Sequence, residues 1–135
     1  MELLLQINGL AYWHSILVHF PIVLFSLTLM LDILAAMGLI SFKPGAWTLA
    51  LGLLFLIPAL ITGWEASHAF PKEDPAVQSH MLRAFFLTPY AMLYTIMRFF
   101  GKPAPALIYV VLSLVLVGLT WWTSDFSGIL SRIKV

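Results

Sequence analysis

The chain contains no cysteine. Disulfides, thiolate metal sites and Cys-ligated iron–sulfur clusters are therefore excluded. Charge is nearly as scarce: 10% of the 135 residues are charged, against roughly 25% in an ordinary soluble domain. A net charge of +1 supplies no basic field of the kind that attracts nucleic acid. There is no Gly-rich phosphate loop, no serine with a plausible triad and no polar segment long enough for a soluble domain. The chain is therefore not expected to be an enzyme by itself. The opening "MELLLQINGLAYW" lacks the basic region and small-residue cleavage site of a signal peptide. Its leucines suit the membrane surface, with Tyr12 and Trp13 at headgroup depth.

What the chain has in abundance is apolar surface, at 61% hydrophobic residues. A protein this short has too little polar area to cover such a core in water, so the lipid bilayer is the solvent it fits. A transmembrane helix takes roughly 20 mostly apolar residues, and four stretches qualify, at about 14–40, 46–68, 79–100 and 105–123. Between them stand "SFKPG", "FPKEDPAVQ" and "GKPAP", which carry helix-stopping proline and glycine. Connections this short make consecutive helices antiparallel neighbours. The expected architecture is all-α: a single four-helix antiparallel transmembrane bundle with both termini on one side.

The histidines divide unevenly over that bundle. His14 and His19 open the first span, His68 closes the second and His80 opens the third, so all four fall at the end that also holds the termini. At roughly 1.5 Å per residue, His19 lies about 7–8 Å deeper than His14. Five residues at about 100° each turn the two rings to different faces of a regular helix. Pro21 leaves two alternatives open: a kink after residue 17, or a separate turn over 14–19 ahead of the span. Glu65 and His68 share a face, as do His80 and Arg83, and Asp125 falls at the same end. A single E-x-x-H with no further glutamates does not make a di-iron site. Ionisable groups at this depth are costly unless paired or functional. His14 and His68 also suit a plain anchoring role, and Arg83 can snorkel to lipid phosphate. Asp32, near the opposite end, is expected to hydrogen-bond within the bundle. Trp64, Trp121 and Trp122 form an interfacial belt.

The stretches "HSILVHFPIVLF", "TGWEA" and "SHMLRAFF", with Asp32 late in the first helix, resemble a family of small bacterial four-helix membrane proteins of unknown function. Their opening reads His-Pro-x-x-Val-His-Phe-Pro-Ile. Some members are fused to Rieske or cytochrome c domains, so the resemblance implies electron transfer at the outer face of a bacterial inner membrane. Ser15 departs from the family's proline, and "GLTWWTSDFSG" lacks the His-Gly pair of its last helix. Orientation is expected to follow Lys43, Lys102 and Arg98, whose end carries no compensating acid. That end is placed in the cytoplasm and the histidines towards the periplasm.

The leading expectation is a membrane-embedded b-type haem protein that passes electrons, as a small subunit of a larger respiratory or photosynthetic complex. Haem b takes two imidazoles from facing helices, an apolar slot and cations near its propionates. His19 and His80 are the expected axial pair, with Arg83 at a propionate. His14 and His68 are left for a second haem, a propionate or a quinone headgroup. One alternative is a copper or zinc protein that uses His14, His19, His68 and His80 with Glu65. Met30, Met37, Met92 and Met97 lie away from the histidines and speak against copper transport. The other alternative is a cofactor-free accessory subunit. The expected partners are lipid, other membrane subunits, a redox protein and quinone.

Overall fold

The computed structural model describes residues 2–68 and 70–124, with side-chain environments from residue 9 onward. The described residues form helices and connections, with no strand. The elements are α1 (Glu2–Leu17), α2 (His19–Ala36), α3 (Lys43–Ser67), α4 (Pro75–Phe100) and α5 (Ala106–Thr123). Only Val18 separates α1 from α2, at helical dihedrals of φ −66° and ψ −22°. The hydrogen-bond ladder runs past it, from Val18 N–H to the His14 carbonyl and from Ile22 N–H to the Val18 carbonyl. Pro21 has no N–H for the Leu17 carbonyl, and the missing bond loosens one residue of the helix without ending it. α1 and α2 thus make one rod, and the described residues form four helical rods.

Each rod stops or starts for a local reason. After α2, Gly38 takes φ 77°, a left-handed value that costs glycine nothing. Its N–H reaches the Ala35 carbonyl and the Leu39 N–H reaches the Leu34 carbonyl, the paired bonds of a Schellman ending. The Asp74 carboxylate accepts from the Ala76 N–H at 3.0 Å, and Pro75 occupies the first helical position. This cap starts α4 at Pro75, four residues ahead of the expected Ser79.

Three rods are long and apolar enough to cross a membrane: Gly9–Ala36, Lys43–Ser67 and Ala106–Thr123. At 26 residues α4 has the length, but Gln78, His80, Arg83 and Arg98 lower its apolarity. The expected third span therefore rests on less than the other three. Those polar side chains are not spread evenly towards lipid: His80, Arg83 and Arg98 each bond to another helix or its connection.

The rods pack α2 on α3 and α5, α1 on α3, and α4 on α3 and α5. Between them lies a core of Phe25, Leu49, Leu56, Leu87, Ala91, Tyr94 and Leu116. Gly52 lets the Phe25 ring lie directly on the α3 backbone, where a Cβ would overlap it. Thr28 and Thr48 share a hydrogen bond of 2.8 Å across the same interface. Most of the large apolar side chains on the outside, such as Phe85, Leu93, Leu107 and Leu114, are exposed. That surface belongs in lipid.

Candidate functional site

At one end of the bundle α1, α2, α3, α4 and α5 enclose a cavity of about 360 Å³, within the usual range for small-molecule sites of roughly 300–1,000 Å³. Small side chains make the space, Ala59, Gly63, Ala66 and Ala84 among them, and His14, His19 and His80 all line it. No Asp, Glu, Lys or Arg side chain does.

His14 enters from α1, and its Nδ1 lies 2.8 Å from the Ala59 carbonyl on α3. Gly63 permits this approach, because a Cβ there would stand 2.7 Å from the imidazole Cε1. His80 enters from α4, with Nδ1 2.8 Å from the Thr123 carbonyl. Thr123 is the last residue of α5, and last-turn carbonyls have no partner within their own helix. Three residues along α4, on the same face, Arg83 Nη1 donates to the Trp122 carbonyl at 2.9 Å. Its guanidinium also lies 5.1 Å from the centre of the Trp122 ring. α4 therefore closes the end of α5 with an imidazole and a cation, the charge that a helix C-terminus favours. His19 is exposed, and its Nδ1 lies 2.5 Å from the Ser15 carbonyl one turn back.

These three bonds decide the tautomers. A carbonyl only accepts, so Nδ1 carries the proton in each ring, and in the neutral imidazole Nε2 keeps a lone pair. None of the three Nε2 atoms has a hydrogen-bond partner among the described residues. A backbone-anchored Nδ1–H with a free Nε2 is the usual state of a metal-ligating histidine.

The histidines do not form one cluster. The rings that meet are His14 and His80, with centroids 6.0 Å apart and planes at 84°. His19, expected opposite His80, lines the same cavity without a ring contact to it. His68 caps α3 and is exposed, against Trp64 at 5.5 Å. Glu65 is exposed too, and neither residue reaches the cavity. Among the described residues no group of three or more histidines, aspartates or glutamates could hold a metal ion. Asp125, expected nearby, lies outside the described residues.

A second polar centre lies towards the other end. Asp32 is fully buried, and Arg98 grips it with two bonds, at 2.6 Å and 2.5 Å. Ser113 donates to the same carboxylate at 2.5 Å. Tyr94 accepts from Arg98 at 2.8 Å and lies 2.8 Å from the Ser113 hydroxyl. Arg98 also donates to the Phe42 carbonyl at 3.0 Å. The sequence reading placed Asp32 in a hydrogen bond but missed Arg98, Tyr94 and Ser113. The available signal was the i, i+4 spacing of Tyr94 and Arg98, together with the demand of a lone intramembrane acid for a counter-charge.

A family model described as "Predicted membrane protein (DUF2231)" matches residues 13–131. The chain belongs to this family. No curated protein and no solved structure matches it. The DUF2231 match begins at Trp13 and takes in all four histidines, Asp32 and Arg98.

Proposed function

We propose that this DUF2231 protein is a membrane-embedded b-type haem protein that passes electrons, with His14 and His80 as the axial pair. The observation that carries the reading is the state of those two rings. They come from different helices and meet at 6.0 Å, each held by its Nδ1–H to a backbone carbonyl, beside an apolar cavity. Haem needs only two protein ligands, where a copper or zinc site needs three or four. The lack of a three-ligand group among the described residues favours haem over the copper or zinc alternative. Bound there, the haem iron would take up and release one electron at a time. The chain's own part is to fix the tautomer and orientation of both imidazoles and to exclude water. Arg83, at the rim beside Trp122, is the cationic candidate for a propionate among the described residues.

The bundle is proposed to be antiparallel and to cross the membrane four times, with α4 as the third span. Asp32 lies by Gly45, Thr28 by Thr48, Phe25 by Gly52 and His14 by Gly63, so one rod descends as its neighbour climbs. Both termini then share the histidine side, proposed as the periplasmic face of a bacterial inner membrane. Lys43 and Lys102 occupy the other side. The broad apolar exterior leaves room for the helices of a larger complex, the setting expected for so small a subunit.

An absorption spectrum of the purified protein, oxidised and then reduced with dithionite, tests the proposal. A sharp reduced α-band with a Soret shift is expected, and His14→Ala and His80→Ala should each abolish it. A featureless visible spectrum from haem-replete cells would leave the cofactor-free accessory subunit as the better reading.

A further inference from the structure

We propose that His19 marks a binding site for a lipid-soluble quinol, entered from the bilayer between α1 and α5. Three features of the cavity lead there, and only the assignment of His14 and His80 to another ligand rests on the haem reading.

One side of the bundle is less closed than the others. α1 packs on α2 and α3, while α5 packs on α2 and α4, and no comparable packing joins α1 to α5 among the described residues. The rod of α1 and α2 gives the cavity Ser15, Val18 and His19, and α5 with the residue after it gives Thr120, Thr123 and Ser124. His19 is exposed and lines the same cavity, one turn along the rod from Ser15.

The cavity also offers hydrogen-bond acceptors and no free donors. Every hydroxyl on its lining already donates to a backbone carbonyl of its own helix: Ser15 to Ala11, Ser67 to Trp64, Thr120 to Leu116, Thr123 to Leu119 and Ser124 to Trp121. The imidazole Nδ1–H groups are spent in the same way. What remains is acceptor capacity: the lone pair of Nε2 on each histidine and those of the hydroxyl oxygens. Such a site suits a Lewis acid or a ligand that donates protons in hydrogen bonds, and repels one that only accepts.

The lining is uncharged, so the ligand is neutral and mostly apolar. A quinol meets all of these demands: a flat ring, phenolic hydroxyls to donate to His19 Nε2, and an isoprenoid tail that stays in lipid. The corresponding quinone presents only carbonyl acceptors to the same lone pair. The site is therefore selective for the reduced form, the form that brings electrons and protons.

The test is calorimetric titration of the full chain in nanodiscs, under anaerobic conditions, with a decyl-tailed benzoquinol and with its quinone. The quinol should bind about tenfold more tightly, the effect of roughly one hydrogen bond to a desolvated acceptor. His19→Leu should remove that tenfold preference by weakening the quinol alone. His19→Gln, whose amide both donates and accepts, should bind the two forms alike. Equal binding of both forms by the wild type would overturn the proposal, as would unchanged selectivity in the leucine variant. Displacement of the quinol by phosphatidylglycerol added to the discs would assign the gap to a lipid hydroxyl instead. The Soret band, read on the same samples, separates this proposal from the haem reading. A band retained in His19→Leu fits the quinol role, and one lost there makes His19 an iron ligand and ends it. A wild type without haem that still prefers quinol refutes only the haem assignment.

Discussion

At the Asp32 end the carboxylate, the guanidinium and two hydroxyls bond to one another, whereas at the histidine end three imidazoles line a cavity with no hydrogen-bond partner at Nε2 among the described residues. The first centre contains a full charge pair, which a membrane tolerates only if donors surround it. Arg98 and Ser113 donate to the carboxylate and Tyr94 ties the two together, which meets that demand. At the second centre the groups are neutral, and small residues hold the helices apart where larger ones would have filled the space. Saturation marks structure, and unspent polarity beside a cavity marks a place for something else.

The sharpest way to break this contrast is to open the saturated end. Asp32→Ala leaves the Arg98 guanidinium buried without its counter-charge and should cost about 3–5 kcal/mol, the usual penalty for orphaning one partner of a buried pair. Thermal unfolding in detergent would measure it. The double variant Asp32→Leu with Arg98→Met should recover most of the loss, because no charge then remains in the apolar interior. Recovery would show that the pair fixes which helices meet more than it adds net stability.

Next in size is overfilling the packed middle. Gly52→Ala drives a methyl group into the Phe25 ring, and overpacking of this kind costs about 1–3 kcal/mol. The same substitution at Gly63 acts on the other centre. Its Cβ would stand 2.7 Å from His14 Cε1, and the ring would have to leave the Ala59 carbonyl. Gly63→Ala should lower unfolding stability by about 1 kcal/mol, the worth of that hydrogen bond, while abolishing the haem spectrum. An intact spectrum would show that His14 need not hold its present position.

How far this contrast was legible in the sequence depends on distance along the chain. The apolar runs and their proline and glycine stops announced four membrane-length stretches, because hydropathy and capping are local properties; among the described residues three of them are helices long and apolar enough to span. The gathering of His14, His19 and His80 at one end followed from helix direction alone. Which two rings would meet did not. It depends on Gly63 yielding space on α3 and on the orphan carbonyls at the end of α5, and neither is visible in the spacing of five between His14 and His19. Likewise Asp32 advertised its need for a partner, but Arg98 stands 66 residues away and was read as a loop-proximal positive charge. The lower apolarity of α4 has the same origin, since its cations are spent inside the protein.

The smallest effect expected is at the seam between α4 and α5. Arg83→Met keeps the apolar stem over Trp122 and deletes the bond to the Trp122 carbonyl, which sits in the last turn of α5. Losing this hydrogen bond and the cation at a helix C-terminus should cost about 1 kcal/mol. His80 still holds the neighbouring Thr123 carbonyl, so the seam should stay closed and the haem spectrum should keep its band positions. If Arg83 also serves a propionate, the variant should lower the haem midpoint affinity in a titration with free haem while leaving the axial ligation signature intact. A stability loss without any change in haem affinity would confine Arg83 to the seam, and would place the cation for the propionates elsewhere on the rim.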